Sequence, residues 1–340
     1  MISILEDGCA EYRSGRAPVD GDGVQHRDGI VTISVVIATL NRDRPLMDTL
    51  EAVMALEPPA NEIWVIDQTS CHDPATEHYL EEAKTRGCGI VRLKEPGVCF
   101  ARNLGAALSR SEVILYLDDD ILPGRPDLVA RHAENYRDPE VQAVQGQILN
   151  VGQQPTQVGL LADYAPNNFA GRATRLKNFV TANASVRRSA LLEVGGFDES
   201  FSGRTYANED GDLGIRLFNA GFRIDFDPTA SLLHLQAQSG GNRITGRDAF
   251  PEWTRSVTFF QFHLRHARGP ARLVSLIRVF RTIALRRENA LRPWLVPWAL
   301  GHALYAFRTA VNRHRQGFKS SLCNPGAAEI AQDFRTSPPT

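Results

Sequence analysis

The sequence predicts an α/β protein with a mixed, mostly parallel sheet flanked by helices, followed by a helical extension. From Thr32 onward, short β-branched runs alternate with helical segments, which is the pattern of βαβ units. A chain of 340 residues with 43% hydrophobic residues is long enough to bury a large core. Beyond about residue 246 the strand signals end and arginine-rich helical segments begin. We therefore divide the chain into a flexible arm (1–30), an α/β domain (31–246) and a basic helical extension with a loose tail (247–340).

The first half of the domain contains four strand signals with three helical segments between them. Within the third helix, Phe100, Leu104 and Leu108 recur at four-residue steps, so one apolar stripe is expected to pack on the sheet. The predicted elements in chain order are TISVVIAT, a helix over 45–56, EIWVID, a helix over 75–86, GIVRLK, a helix over 98–109 and EVILYLD.

The second half of the domain is less regular. A long segment without periodicity, 152–178, has the character of a functional lid. The remaining predicted elements are a strand in AVQGQIL, helices in SALLEVGGF and DGDLGIRLFNAGF that end at glycine, and a strand in RIDFDPTASLLHL.

The cysteines and the N-terminal residues indicate the cellular compartment of the protein. The five cysteines are odd in number and form no Cys-x-x-Cys pair, so neither a disulfide framework nor a thiolate zinc site is predicted. Residues 1–30 are polar, and they lack the basic stretch followed by an apolar run that marks a signal peptide. The apolar stretch 293–307 is shorter than the ~20 residues of a spanning helix. These features predict a cytoplasmic protein.

Carboxylates stand where two predicted strands end. Asp67 follows EIWVI, and Asp118, Asp119 and Asp120 follow VILYL. Three adjacent aspartates repel one another unless a cation, hydrogen bonds or solvent exposure offsets the repulsion. A hard divalent ion with oxygen ligands is one solution, and a helix N-cap or an Asx turn is a purely structural alternative.

Five ordered segments connect these carboxylates to a known family. They are SVVIATLNR, EIWVIDQTS, GVCFARNLGAAL, LYLDDDILP, and VGGFDESF together with NEDGDLGIRLFNAGF. In this order, between about Thr32 and Arg243, the chain resembles the family 2 glycosyltransferases. The resemblance implies a GT-A fold, in which a Rossmann-like domain binds a nucleoside-diphosphate sugar and a divalent metal.

The resemblance assigns the donor site residue by residue. Thr39 and Asp67 would contact the nucleoside, and Arg102 would lie beside the nucleotide. Asp119 would be the variable middle residue of the DxD motif, within the nucleotide-binding set. Asp118, as the first residue of that motif, would contact both the nucleotide and the metal.

The same resemblance supplies the metal ligands. Asp118 and Asp120 would hold Mg²⁺ or Mn²⁺ against the diphosphate of the donor, where the ion stabilises the charge of the leaving group. His234, at the end of a predicted strand, is the expected third ligand. A histidine with only a packing role is the alternative at this position.

The acceptor half provides the expected general base. Asp210 would accept the proton of the acceptor hydroxyl, with Glu209 beside it, and a single displacement without a covalent intermediate inverts the anomeric configuration. The alternative is structural, with Asn208 and Asp210 capping a helix over 211–220.

The sequence also departs from the family pattern. Ala38, Gln68 and Thr69 stand where the family commonly has proline, aspartate and glycine, which alters the expected ribose or base contacts. No Gln-x-x-Arg-Trp motif follows the second half of the domain. Its absence favours a non-processive enzyme.

Charge is distributed unevenly along the chain. The net charge is −1, yet residues 250–320 hold 13 Arg and Lys against Glu252 and Glu288. In LVSLIRVFRTIALRREN, apolar residues and arginines alternate with helical spacing, and tryptophans follow. This pattern predicts a helix in the interface of an anionic membrane. Helices packed on the domain and a dimer interface are the alternatives, and nucleic acid is not expected as a partner.

Together these features predict a metal-dependent, inverting, non-processive glycosyltransferase. It would move a sugar from a nucleoside-diphosphate sugar to a glycan or lipid-linked hydroxyl acceptor, in surface glycan or glycolipid synthesis. Its expected place is the cytoplasm, peripherally on the inner face of the cell membrane. The alternative function is a catalytically silent scaffold with the same fold, acting in membrane or protein binding.

Overall fold

The computed structural model describes residues 31–152, 171, 175–177, 180–201, 207–241, 253–285 and 291–323. The predicted N-terminal arm, almost all of the predicted lid, the predicted domain boundary near 246 and the C-terminal tail lie outside these residues.

The first half of the domain is a parallel sheet in the order β3-β2-β1-β4. The first and last residues of its strands and helices agree with the predicted ones to within two residues. The strands are β1 (Ile33–Thr39), β2 (Glu62–Asp67), β3 (Gly89–Arg92) and β4 (Val113–Leu117), and the helices between them are α1 (Arg44–Met54), α2 (Pro74–Thr85) and α3 (Val98–Leu108).

Both faces of this sheet are covered, as a parallel sheet requires. Alternation along β1 sends Val35 into the cluster that contains Leu50 of α1, and Val36 into a second cluster on the opposite face. On that opposite face, Leu104 and Leu108 of α3 are buried with Ile66, and Phe100 packs against them. The predicted apolar stripe of α3 is thus confirmed as core.

The second half extends the sheet in the order β4-β7-β6-β8-β5. Strand β7 is antiparallel to β4 and β6, β6 and β8 are parallel, and β5 is antiparallel to β8, so the sheet is mixed as predicted. Its elements are β5 (Ile121–Pro123), α4 (Leu128–Asn135), β6 (Val141–Asn150), β7 (Asn183–Arg187), α5 (Arg188–Glu193), α6 (Glu209–Asn219) and β8 (Arg223–His234).

The C-terminal part forms three helices around a core of its own. They are α7 (Trp253–His266), α8 (Gly269–Ala284) and α9 (Val296–Arg315), with short 3₁₀ turns at Pro293–Leu295 and Ser321–Cys323. The rings of Phe260, Phe280 and Phe307, one from each helix, lie 4.7 to 5.6 Å apart between centroids. Among the described helices, none is long and apolar enough to cross a bilayer.

Helix α7 attaches this bundle to the α/β domain through buried charge. The guanidinium of Arg265 forms ion pairs with Asp198 and with Asp212, the latter at 3.0 Å, and Nε2 of His266 lies 2.8 Å from Asp212 Oδ1. Arg313 of α9 also donates to the Ser200 carbonyl at 2.9 Å. Packing on the domain, an alternative left open by the sequence, is therefore the observed arrangement of α7.

Candidate active site

Three residues that could bind metal converge at the carboxyl end of β4. Strand β5 pairs with β8 so that Ile121 lies opposite His234, and the Leu235 amide donates to the Asp120 carbonyl at 2.8 Å. As a result, Nε2 of His234 lies 3.2 Å from Asp120 Oδ1 and 3.7 Å from Asp118 Oδ2. The pairing of a three-residue strand thus joins residues more than a hundred positions apart in the chain.

This cluster fits a divalent cation. One ligand atom from each of Asp118, Asp120 and His234 lies within 4.8 Å of the others. Two carboxylates and an imidazole form a donor set suited to ions such as Mn²⁺. The Asp118 side chain is 34% exposed, so the cluster is accessible, whereas Asp120 is buried.

Arg42 offsets part of the negative charge of the three aspartates. Its Nη1 lies 2.7 Å from Asp120 Oδ2 and 3.3 Å from Asp119 Oδ1, and its side chain is only 5% exposed. Burial alone would raise the pKa of Asp120, but His234 and Arg42 lower it to about 2, so this carboxylate stays ionised. Arg42 was not predicted from the sequence. Its position directly after β1, at the sheet edge where Asp118 also lies, was the available signal.

The middle aspartate has a different environment. Burial raises the pKa of Asp119 to about 6, despite the charge of Arg42 and a hydrogen bond from Thr39. The Thr39 hydroxyl donates to Asp119 Oδ2 at 2.6 Å, and both side chains are buried. Thr39 and Asp119, both predicted to contact the nucleotide, therefore contact each other.

A glycine loop after β8 covers Arg42. The Gly241 amide donates to the Leu40 carbonyl at 2.7 Å, and Gly240 has a φ of +77°. A Cβ atom at Gly240 would overlap the Asn41 carbonyl oxygen, so only glycine allows this approach. The same loop donates from the Ala237 amide to Asp120 Oδ2 at 2.8 Å. The sequence also allows Arg243 to contact the diphosphate, a prediction that falls outside the described residues.

Asp67 lies beside Thr39 in the β1–β2 register, at the predicted edge of the sheet. Its carboxylate is fully buried and has internal partners on both oxygens. Oδ1 accepts from the Thr69 amide at 2.9 Å, while Oδ2 lies 3.1 Å from His72 Nε2 and 3.2 Å from Arg92 Nε. Because the carboxylate is fully buried, a direct contact of Asp67 with a base would require neighbouring atoms to move aside.

Arg102 connects the acidic cluster to the acceptor half. Nη1 of its guanidinium donates to Glu209 Oε1 at 3.1 Å, and Nη2 lies 3.8 Å from Asp118 Oδ1. Arg102 and Glu209 are both buried. The arginine therefore holds a positive charge between the predicted metal ligands and the predicted base.

Asp210, the predicted general base, lies in an environment that raises its pKa. Burial, and then the charge of Glu209, raises the pKa of Asp210 to about 7, and Oδ1 accepts from the Gly211 amide at 2.8 Å. A carboxylate that titrates near neutrality can accept a proton at working pH and release it again. Helix α6 begins at Glu209, two residues before the predicted start, and the Asn208 side chain makes no capping hydrogen bond. Asn208 therefore occupies the N-cap position, as the alternative had it, but its side chain does not cap the helix.

Comparison with known proteins agrees with this geometry. Residues 34–195 match the sequence model of Glycosyl transferase family 2. The chain is 27% identical over 244 residues to the pre-mycofactocin glycosyltransferase of Mycobacterium tuberculosis, covering 69% of this chain and 47% of that protein. A shorter match of 63 residues, 48% identical and 18% of either chain, is to an N-acetylglucosaminyl-diphospho-decaprenol L-rhamnosyltransferase of the same species.

The chain thus spans about half the length of the first of these relatives and less of the second. A solved structure, GalNAc-T7 with UDP, GalNAc and Mn²⁺, superposes with a TM-score of 0.56 at 15% identity, over 86% of this chain and 59% of that one. This likeness and the mixed sheet confirm the predicted GT-A fold class. Together, the matches show that the α/β domain is similar to family 2 glycosyltransferases.

Proposed function

We propose that this chain is a metal-dependent, inverting, non-processive glycosyltransferase that uses a nucleoside-diphosphate sugar. The observation that carries the proposal is the arrangement at the carboxyl end of β4. There Asp118, Asp120 and His234 form a cation site, and Arg102 links that site to Glu209, the neighbour of Asp210. The family match over 34–195 supports the same reaction class.

In this proposal Asp118, Asp120 and His234 hold Mg²⁺ or Mn²⁺. The bound ion supplies Lewis-acid stabilisation of the departing nucleoside diphosphate. Arg42 neutralises part of the aspartate charge beneath the site, and Thr39 fixes Asp119 by its hydrogen bond. Asp67 and Arg102 complete the proposed nucleotide site, with Asp67 held by His72 and Arg92.

Asp210 is the proposed general base. The acceptor oxygen forms a bond to the anomeric carbon as the bond from that carbon to the diphosphate breaks, and the hydroxyl proton passes to Asp210. One displacement inverts the configuration. Glu209 helps to keep the pKa of Asp210 near 7, while Arg102 compensates the charge of Glu209 itself. The protonated Asp210 then returns its proton to solvent.

For the acceptor we propose a glycan or lipid-linked hydroxyl, in surface glycan or glycolipid synthesis. The rhamnosyltransferase relative carries a lipid diphosphate acceptor in its name. We also propose that the reaction takes place in the cytoplasm. The cysteines Cys71, Cys88 and Cys99 are free thiols in the described chain, which is compatible with a reducing compartment.

The proposal can be tested by the thermal shift caused by nucleotides. The melting temperature would be measured with UDP, dTDP, GDP and CDP, each with and without Mn²⁺, because a ligand that binds only the folded state raises it. Asp120→Asn removes a proposed metal ligand, and Asp48→Asn is its matched control, since Asp48 forms a surface pair with Arg44.

We expect one nucleotide to stabilise the wild type and Asp48→Asn only when Mn²⁺ is present, and not to stabilise Asp120→Asn. Sugar transfer by Asp120→Asn should fall by about 10²-fold or more. Absence of any nucleotide shift in the wild type would contradict the proposal and favour the silent scaffold.

A further inference from the structure

The C-terminal bundle exposes an unusual amount of apolar side chain. Of the eleven large hydrophobic residues that are exposed in the described chain, ten lie between 273 and 305, and only Val151 lies elsewhere. Trp294 is 68% exposed and Trp298 75%. The other eight are Leu273, Val274, Ile277, Leu285, Leu291, Leu300, Leu304 and Tyr305. Exposed apolar side chains concentrated in one part of a chain in this way mark an interaction site.

Helix α9 shows that this exposure is built into the sequence. The helix turns its small residues inward, where Ala299, Ala303, Ala306 and Ala310 are buried. The large residues on the other sides of the same turns, including Trp298 and Leu304, face solvent. A helix that only completed a bundle would place its large side chains inside, so the outward face of α9 is shaped for an apolar environment.

Among the described residues of the extension, all charged side chains are basic. Within the described parts of the extension, 253–285 and 291–323, there is no aspartate or glutamate. Arginines are exposed among and beside the apolar residues, namely Arg268, Arg278, Arg281, Arg292 and Arg308. Exposed apolar and aromatic side chains bordered by arginine match the interfacial layer of an anionic bilayer, where tryptophan and tyrosine lie at headgroup depth.

Self-association does not fit this charge pattern. In a symmetric dimer the same surface meets itself, so the arginines of one copy would face those of the other. The described extension offers no carboxylate on its own residues to pair with them. Lipid phosphates supply that missing negative charge, and the acyl region accepts the apolar side chains.

We propose that the exposed faces of α8 and α9, with Leu291 and Trp294 between them, are a docking surface for an anionic lipid bilayer. The helices lie in the interface plane rather than crossing it. The Ala207 amide donates to Thr258 Oγ1 of α7 at 3.1 Å. Asp212 forms ion pairs with Arg265 and His266 of the same helix. Helix α7 therefore contacts the chain on both sides of Asp210. If the proposed function holds, on which this consequence rests, the docked bundle would thereby keep the active site at the membrane.

The experiment is co-sedimentation of the full chain with vesicles. One set is phosphatidylcholine alone, and in the other part of that lipid is replaced by phosphatidylglycerol. Trp294→Ser with Trp298→Ser removes apolar anchors, and Val151→Ser is the matched control because Val151 is 66% exposed outside the bundle. Arg278→Gln with Arg281→Gln removes basic charge, and Arg44→Gln with Arg110→Gln is its control.

The wild type and both controls should bind the phosphatidylglycerol vesicles and bind phosphatidylcholine weakly. Each bundle variant should bind these vesicles at least about tenfold more weakly than the wild type. The loss of binding caused by the arginine substitutions should become smaller at high salt, whereas the loss caused by the tryptophan substitutions should not. Unchanged melting temperatures and an unchanged nucleotide shift would show that the variants are folded, and would separate this proposal from the proposed function.

Three results would overturn the inference. The first is wild-type protein that fails to bind either kind of vesicle, and the second is bundle variants that bind as well as the wild type. The third is a wild-type dimer in analytical ultracentrifugation that the tryptophan variant converts to a monomer, which would assign the surface to a second copy.

Discussion

Arg102 donates a hydrogen bond to Glu209 at 3.1 Å, and the pair is buried at the junction of α3 and α6. The two residues are 107 positions apart in the chain. The resemblance to known transferases placed Arg102 beside the nucleotide, but did not indicate that its guanidinium also compensates the carboxylate next to the proposed base. That relationship makes the two residues interdependent.

Replacing one member of this pair should therefore cost more stability than replacing both. Arg102→Met leaves Glu209 buried without its partner, and we expect the free energy of unfolding in urea to fall by about 3–5 kcal/mol. Adding Glu209→Gln should restore part of that loss. Arg86→Met, at an exposed pair with Glu51, should cost less than about 1 kcal/mol. A double variant no more stable than Arg102→Met would disprove the interdependence.

The rate of sugar transfer should depend on the protonation of Asp210. Its pKa is raised to about 7, and only the ionised carboxylate can accept a proton. The rate of the wild type should therefore rise with pH and level off above about 7. Asp210→Asn should lower kcat by about 10²–10⁴-fold, leave donor KM nearly unchanged, and remove this pH dependence. A residual rate with the same pH midpoint would mean that another group is the base.

The Gly240 backbone should tolerate no side chain. Gly240 and Gly152 both have a φ of +77°, but a Cβ at Gly152 would meet nothing within 4 Å. Gly152→Ala should therefore cost only the conformational strain, about 1–2 kcal/mol in urea unfolding. Gly240→Ala should cost about 1–3 kcal/mol more, because the new methyl group collides with Asn41 above the metal site. Equal losses in the two variants would show that the loop can move away.

The attachment of the C-terminal bundle should depend on the Asp212 carboxylate. Burial would raise the pKa of Asp212, but Arg216, His266 and Arg265 lower it well below the ordinary aspartate value. Its contribution to stability is therefore present at neutral pH and is lost as the pH falls below about 4.

Asp212→Asn should accordingly lower the free energy of unfolding by about 3 kcal/mol at pH 7. The difference in the free energy of unfolding between Asp212→Asn and the wild type should become smaller in acid. The control is Asp127→Asn, because Asp127 also pairs with two arginines but lies at the surface. A loss of stability that stayed constant from pH 7 to pH 3 would point to packing rather than charge.

Much of the fold could be predicted because its signals are local. The bounds of β2, EIWVID, follow directly from its β-branched and aromatic residues, and the βαβ alternation around it implies a parallel sheet. The trio Asp118, Asp120 and His234 was predicted as a metal site from the resemblance, and the structure brings the three side chains together.

Other features depend on contacts that a single sequence does not display. Strand β5 has three residues and no periodicity to detect, yet its pairing with β8 places His234 beside Asp120. The internal partners of Asp67 come from loops and a neighbouring strand. The sequence pattern indicated an amphipathic helix at α8 with tryptophans beyond it, but only packing shows that alanines form the inner face of α9.

Arg42 has a consequence for how the protein would respond to metal supply. It gives the aspartate cluster a fixed counter-charge that belongs to the chain and cannot be removed by a chelator. The fold around the cluster therefore does not need an ion to offset the full repulsion of its carboxylates. Under the proposed function, metal depletion would stop catalysis but leave a folded protein that can bind metal again. The activity of the enzyme and its abundance would then be controlled separately.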